Sequence, residues 1–324
     1  MRKSVKIAAM SAGLAMTMGL AACGGDDSGG GGSSDRLDGV SVSVGSKDFT
    51  ENILLGEMYA QALENEGASV DKQINLGGTS VNRDALTSGD IDVYPDYNGT
   101  GWTVFLGNED PSTDPQELYD VTAEADLEQN NIKWIGLSPF NDTYGFAANG
   151  DLAEAEGPFD LQGMADYLEA NPDATVCMET EFPDRPDGLV LFEDATGYEV
   201  PNSQTQILDT GLIYTETSDG NCDFGEVFTT DGRITALNLE LVDDPGVFIL
   251  YNVSFTMNND VYEANAEVYD ELAERHVKIE ILETRIDEQT RLRFDDHREH
   301  VRELRQLPVG LDGRIKEVTK ALED

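Results

Sequence analysis

The sequence predicts an α/β fold. Between residues 39 and 274, short strand-like runs alternate with longer runs that repeat at helical spacing. Hydrophobic residues make up 39% of the 324-residue chain, enough for one large domain or two lobes with cores of their own.

The elements follow in order. "GVSVSVGS" alternates apolar and polar residues and reads as a strand. "TENILLGEMYAQALENEG" carries apolar residues at helical spacing from Ile53 and Leu54 through Met58 to Leu63, and Gly67 ends it. "ASVDKQINLGG" reads as a second strand and turn, "SVNRDALTSGD" as a short helix, and "IDVYPDY" as a third strand running into a loop. This β–α–β–α order predicts a parallel sheet covered by helices. "NIKWIGLSP", "TYGFAAN", "DATVCMETEF", "CDFGEVFTT" and "LELVDDP" supply further strands or strand ends.

Charge narrows the function. The formal net charge is −43, which excludes nucleic acid as a partner because phosphate binding needs clustered Lys and Arg. An excess of this size fits a protein that works in high salt, where screening weakens self-repulsion.

The N-terminus reads as an export signal. Arg2, Lys3 and Lys6 precede the acid-free apolar run "IAAMSAGLAMTMGLAA". Leu20-Ala21-Ala22-Cys23 resembles a bacterial lipobox, which implies a signal peptide over 1–22 and acylation of Cys23. The flexible linker 23–38 follows, with its "GGDDSGGGGSSD" stretch. The expected location is the extracellular face of the cytoplasmic membrane, held by a lipid anchor. Cys177 and Cys222 are then the cysteines left in the exported body. An even remainder there is read as a disulfide, with two buried thiols as the alternative. The body has neither a CxxC pair nor a His cluster, so neither a metal site nor a cofactor is expected.

Composition shifts near residue 274. From 23 to 274 the basic residues are Arg36, Lys47, Lys72, Arg83, Lys133, Arg185 and Arg233, seven in all, whereas 275–324 hold eleven together with all three histidines. That segment reads as a charged helical tail, atypical of what precedes it.

Six motifs occur in order: "GSKDFTEN", "YPDYNGTGW", "NDTYGFA", "EFPDRPDGL", "EVFTTDGRI" and "FILYNVSF". Together they closely resemble the extracytoplasmic substrate-binding proteins of ABC importers for quaternary ammonium osmoprotectants, over roughly residues 39–274. The resemblance implies a two-lobed periplasmic-binding-protein-like fold (type II) whose lobes are joined by crossover strands. Lobe one would take 39–140 and 234–274, lobe two 141–233, and the tail 275–324. It also implies a membrane permease and ATPase as partners, and no reaction catalysed.

The chemistry explains the residue types. A trimethylammonium group has no N–H to donate but carries diffuse charge and a greasy skin, and aromatic faces match both at about 0.5–2 kcal/mol per ring. By resemblance the cage falls on Tyr97, Tyr144, Phe228 and Tyr251, with Phe228 where relatives often carry tyrosine. A carboxylate clamp falls on Lys47, Thr100 and Arg185. Arg185 alternatively pairs with Asp184 or Asp187. The resemblance leads to a zwitterion such as glycine betaine. Two other readings use the same scaffold: a sensory or other ligand-binding lipoprotein, and an enzyme. The enzyme lacks any visible nucleophile–base pair, and the body has no histidine.

Overall fold

The computed structural model describes residues 35–275. The expectations for the signal segment 1–22, for Cys23 and for the tail from residue 276 lie outside those residues.

Strands β1 (Ser41–Gly45), β2 (Ser69–Gln73), β3 (Val93–Tyr97), β4 (Ile132–Ile135) and β10 (Val253–Asn258) form one sheet in the order β2-β1-β3-β10-β4. Strands β5 (Tyr144–Asn149), β6 (Val176–Met178), β7 (Thr205–Ile207), β8 (Phe224–Phe228) and β9 (Leu239–Leu241) form the other, in the order β7-β6-β8-β5-β9. The two sheets are permutations of one plan. In each, a strand arriving from the other sheet is inserted fourth and runs antiparallel to its neighbours: β10 beside β3 and β4, β5 beside β8 and β9. The parallel pairing expected of the first strands holds for β1 with β2 and β3, and the inserted strands β10 and β5 make both sheets mixed. A strand that enters from the far lobe meets the sheet from the opposite end.

Local chemistry accounts for the first sheet. Helix α1 (Thr50–Asn65) turns Leu55, Tyr59, Ala60 and Leu63 inward and stops before Gly67, whose φ of +95° disfavours other residues. Tyr59 stacks on Phe255 of β10 with centroids 4.1 Å apart. Residues 266–275 are helical and bury Tyr269, Leu272 and Ala273 in the same cluster. In β3, Pro95 removes a backbone donor, yet the strand is fully buried. Pairing with β1 is confined to Val44↔Val93. Beyond it, Asn52 Nδ2 donates to the Pro95 carbonyl at 2.8 Å from α1. Proline is tolerated because the neighbouring strand has already ended on that side.

In the second sheet, Cys177 on β6 and Cys222 just before β8 are joined by a disulfide, with Cα atoms 5.9 Å apart. β9 pairs with β5, so the chain is still in the second sheet at Leu241. The return to the first sheet therefore comes later than the expected boundary at 234.

The connections 136–143 and 242–252 run side by side between the sheets. Asp142 N–H donates to Tyr251 O at 3.1 Å, Tyr251 N–H to Asn141 Oδ1 at 2.7 Å, and Thr143 Oγ1 to Ile249 O at 2.7 Å. Asn252 Nδ2 donates to the carbonyls of Ser138 and Phe140. The lobes are thus joined by two laced crossover segments.

Candidate functional site

A cavity of about 690 Å³ lies between the sheets. Lys47, Tyr97, Thr100, Tyr144, Arg185, Phe228 and Tyr251 all line it. β3 delivers Tyr97 at its C-terminal end, β5 delivers Tyr144 at its start, and β8 delivers Phe228 opposite Tyr144. Tyr251 stands on the second crossover segment. Its seat depends on Gly99, where a Cβ would fall 2.3 Å from the Leu250 carbonyl.

Four of these rings and Phe49 close a circuit. Centroid separations are 6.0 Å for Phe49–Tyr97, 6.3 Å for Tyr97–Tyr251, 5.2 Å for Tyr251–Tyr144, 5.4 Å for Tyr144–Phe228 and 4.8 Å for Phe228–Phe49. Burial raises the phenol pKa of Tyr97, Tyr144 and Tyr251 well above the ordinary value, so all three rings stay uncharged.

The cations are anchored. Arg185 holds Asp187 by two parallel hydrogen bonds, the buried form of the pairing named as its alternative. On its other edge Nη1 donates to Thr79 Oγ1 at 3.0 Å and to Glu181 Oε2 at 3.5 Å, and Nη2 to Thr100 Oγ1 at 3.3 Å. Burial opposes charge on both members of the pair. Even so, the Arg185 charge and hydrogen bonds hold Asp187 below the usual carboxylate range, and Tyr144, Tyr251 and Asp187 keep Arg185 above its own. Lys47 Nζ donates to Asp96 at 2.8 Å and lies 5.2 Å from the Tyr97 centroid. Asp96 also accepts from the hydroxyl of Tyr94, behind the cavity. With these charges paired, Asp48, Asp142, Glu179, Glu181 and Asp209 on the wall leave the cavity with a negative field.

Contacts close the gap between lobes. Helix α2 (Thr79–Ser88) has no cap from its own side chains; Glu181 Oε1 accepts from Thr79 N–H at 2.8 Å. Gly78 makes room, since a Cβ there would fall 1.9 Å from that oxygen. Thr103 Oγ1 donates to Asp187 Oδ2 at 2.8 Å.

Phe49, Thr79 and Asp142 line the cavity and are absent from the motif-based set, whereas Asp187 enters it only as a partner of Arg185. Phe49 stands two positions after Lys47 in "GSKDFTEN", and that proximity was the available signal. Tyr94 and Tyr214 are fully buried outside the cavity, and Trp102 donates to Glu109 O at 3.1 Å. None of the three lines the cavity.

Comparison with known proteins gives the family and the fold. The profile of the substrate-binding domain of ABC-type glycine betaine transport systems matches residues 40–293, extending past the compositional change at 274. The glycine betaine-binding protein YehZ of Escherichia coli (strain K12) is 34% identical over 219 residues, covering 65% of this chain and 71% of that one. A glycine-betaine-binding protein of Pseudomonas aeruginosa is 30% identical over 259 residues, covering 76% and 82%. A solved glycine betaine/carnitine/choline ABC transporter structure has the same fold, with a TM-score of 0.57 at 21% identity over 73% of this chain and 86% of that one. This chain therefore belongs to the substrate-binding domains of ABC-type glycine betaine transport systems, a family of binding proteins and not of enzymes.

Proposed function

We propose that this chain captures a quaternary ammonium zwitterion of the glycine betaine type between its lobes. The carrying observation is the closed circuit of Phe49, Tyr97, Tyr251, Tyr144 and Phe228, drawn from both sheets. Those faces take the methylated nitrogen, which no hydrogen-bond acceptor is able to recognise. The ligand carboxylate takes the outer edge of Arg185 by displacing the long contacts to Thr100 at 3.3 Å and Glu181 at 3.5 Å, while the pairing with Asp187 stays in place. Lys47 adds charge from the other lobe; an ammonium has three donors and Asp96 takes one.

In this reading the protein is exported, acylated at Cys23 and tethered to the outer face of the cytoplasmic membrane by the segment ahead of Arg36 and Leu37, which themselves belong to the first lobe. It delivers its ligand to an ABC permease and ATPase. A ligand that touches both lobes favours closure because only the closed form makes every contact.

Calorimetry in high salt with glycine betaine, proline betaine, carnitine, choline and ectoine tests the ligand class. Tyr97→Ala is expected to weaken the bound ligand at least tenfold, the equivalent of about 1.4 kcal/mol. An affinity within about twofold of the parent removes Tyr97 from the site.

A further inference from the structure

Asp142 sits where the ring circuit meets the crossover segments. Its N–H donates to Tyr251 O at 3.1 Å, and it precedes Tyr144 by two residues. Its Oδ1 accepts from the hydroxyl of Thr230, two residues after Phe228. The Tyr97 hydroxyl donates to Glu51 Oε1 at 2.7 Å, and the Glu51 carboxyl lies against Asp142. Chain or hydrogen bond thus links Asp142 to four of the five rings. The side chain lines the cavity with only 3% of the residue exposed, and no donor of the protein reaches its Oδ2. A buried carboxylate oxygen without a donor calls for an explanation.

We propose that Asp142, paired with Glu51, is the counter-charge of the ring circuit and exchanges one proton for an incoming methylated ammonium. The proposal rests on the ligand class given above. In the empty site the carboxyl pair shares a proton, and its O–H···O contact occupies an otherwise unmatched oxygen. As the cation enters, that O–H bond breaks and the proton leaves to solvent. At the rings one positive charge replaces another; with choline the net charge of the cavity is unchanged, and with glycine betaine the ligand's own carboxylate adds one negative charge at the Arg185 end. A quaternary ammonium offers no N–H, which makes close negative charge the one polar attraction it accepts besides ring faces.

The groups around Asp142 fit this role. Glu51 approaches from α1, Tyr97 from β3, Tyr251 from the second crossover segment, and Asp231 from the turn after β8; Lys47 lies against the Tyr97 ring. Arg233 is engaged with Asp231. Burial pushes Asp142 up to about 6, against the hydrogen bonds from Thr230 and Glu51. A bound cation pulls it back down. Affinity is therefore full above that value and falls as pH drops through it.

The test is calorimetry on the full chain with glycine betaine and choline, in buffers of different ionisation enthalpy. Neither probe titrates in the range used. Wild type is expected to release about half a proton per ligand near pH 6 and to bind roughly tenfold more weakly at pH 5 than at pH 7. Asp142→Asn is expected to bind without proton release and with a flat pH profile. Glu51→Gln, which removes the acidic neighbour, should keep the release but move its midpoint to lower pH. Proton release from Asp142→Asn equal to wild type overturns the proposal. So does a wild-type affinity that is flat over the range while both probes bind, which leaves the ligand class standing. Failure of wild type to bind either probe at any pH removes the ligand class, and the counter-charge with it. If Asp142→Asn does not fold, the wild-type and Glu51→Gln profiles still decide.

Discussion

Arg185 and Asp187, two residues apart, face each other through two parallel hydrogen bonds: Nε to Oδ1 at 2.8 Å and Nη2 to Oδ2 at 2.9 Å. Both side chains are nearly dehydrated, so the pair is a fixed part of the site and not a solvated contact. Lysine has a point charge in place of the planar fork. Arg185→Lys is expected to weaken a carboxylate-bearing ligand at least roughly tenfold while changing choline binding by about threefold or less. Parallel titrations of glycine betaine and choline decide it. Equal losses for both would show that Arg185 supports the lobe and not the carboxylate.

Phe49 closes the ring circuit between Tyr97 and Phe228. Phe49→Ala should weaken methylammonium binding by about 0.5–2 kcal/mol, roughly two- to thirtyfold, and Phe49→Tyr should restore most of it. Isothermal titration measures both variants. An unchanged affinity in the alanine variant would leave Phe49 as a packing residue.

The disulfide between Cys177 and Cys222 closes a loop of 45 residues within the second lobe. Both cysteines are fully buried in a small cluster with Ile213; neither lines the cavity, which the cluster meets only through Leu208. Replacing both by alanine is expected to lower stability by about 2–4 kcal/mol while leaving ligand affinity near the parent value. Urea unfolding with and without ligand separates the two effects.

Glu226 on β8 is buried beside Glu179, and its Oε2 accepts from the Glu179 N–H at 2.9 Å. Burial first, and then the Glu179 charge, push its carboxyl from 4.5 up to about 8. The folded state therefore keeps a proton that the unfolded chain loses. This penalty is absent at low pH and grows as pH rises from about 4.5 toward 8. Glu226→Gln, which mimics the protonated form, should stabilise the protein by about 1–3 kcal/mol near pH 8 and by almost nothing near pH 4. Thermal melts at the two pH values check the sign. Equal shifts at both would rule out titration as the cause.

The formal charge of −43 makes the fold dependent on salt. Raising sodium chloride from about 0.1 M to about 1 M cuts the Debye length from roughly 10 to 3 Å and should raise the melting temperature. A melting temperature indifferent to salt would remove the argument for a high-salt setting.

Sequence carried the elements better than their directions. β1, α1, α2 and β3 announce themselves through local periodicity. β10 does not, because "FILYNVSF" runs from crossover segment into strand without a turn signal between them. β7 is three residues long and mostly exposed, too little for a period to register. Antiparallel insertion of β5 and β10 follows from the path of the chain through space, which no local pattern encodes. In the cavity, Tyr97, Tyr144 and Tyr251 stood out as aromatics in ordered motifs. Phe49 did not, since an apolar residue just before α1 reads as part of the helix start. Asp142 was equally hidden: one acid among 64 is visible only when the neighbours that bury it are known.

Helix α2 borrows its first hydrogen-bond acceptor from the opposite lobe, through Glu181. Drawing the jaws apart strips the helix of that partner and leaves its positive end bare, at an expense of about 1 kcal/mol. That contact favours the closed form by about 1 kcal/mol before any ligand is counted. Entry then waits on brief yawning of the molecule, and a captured guest leaves no faster than the same hinge lets go.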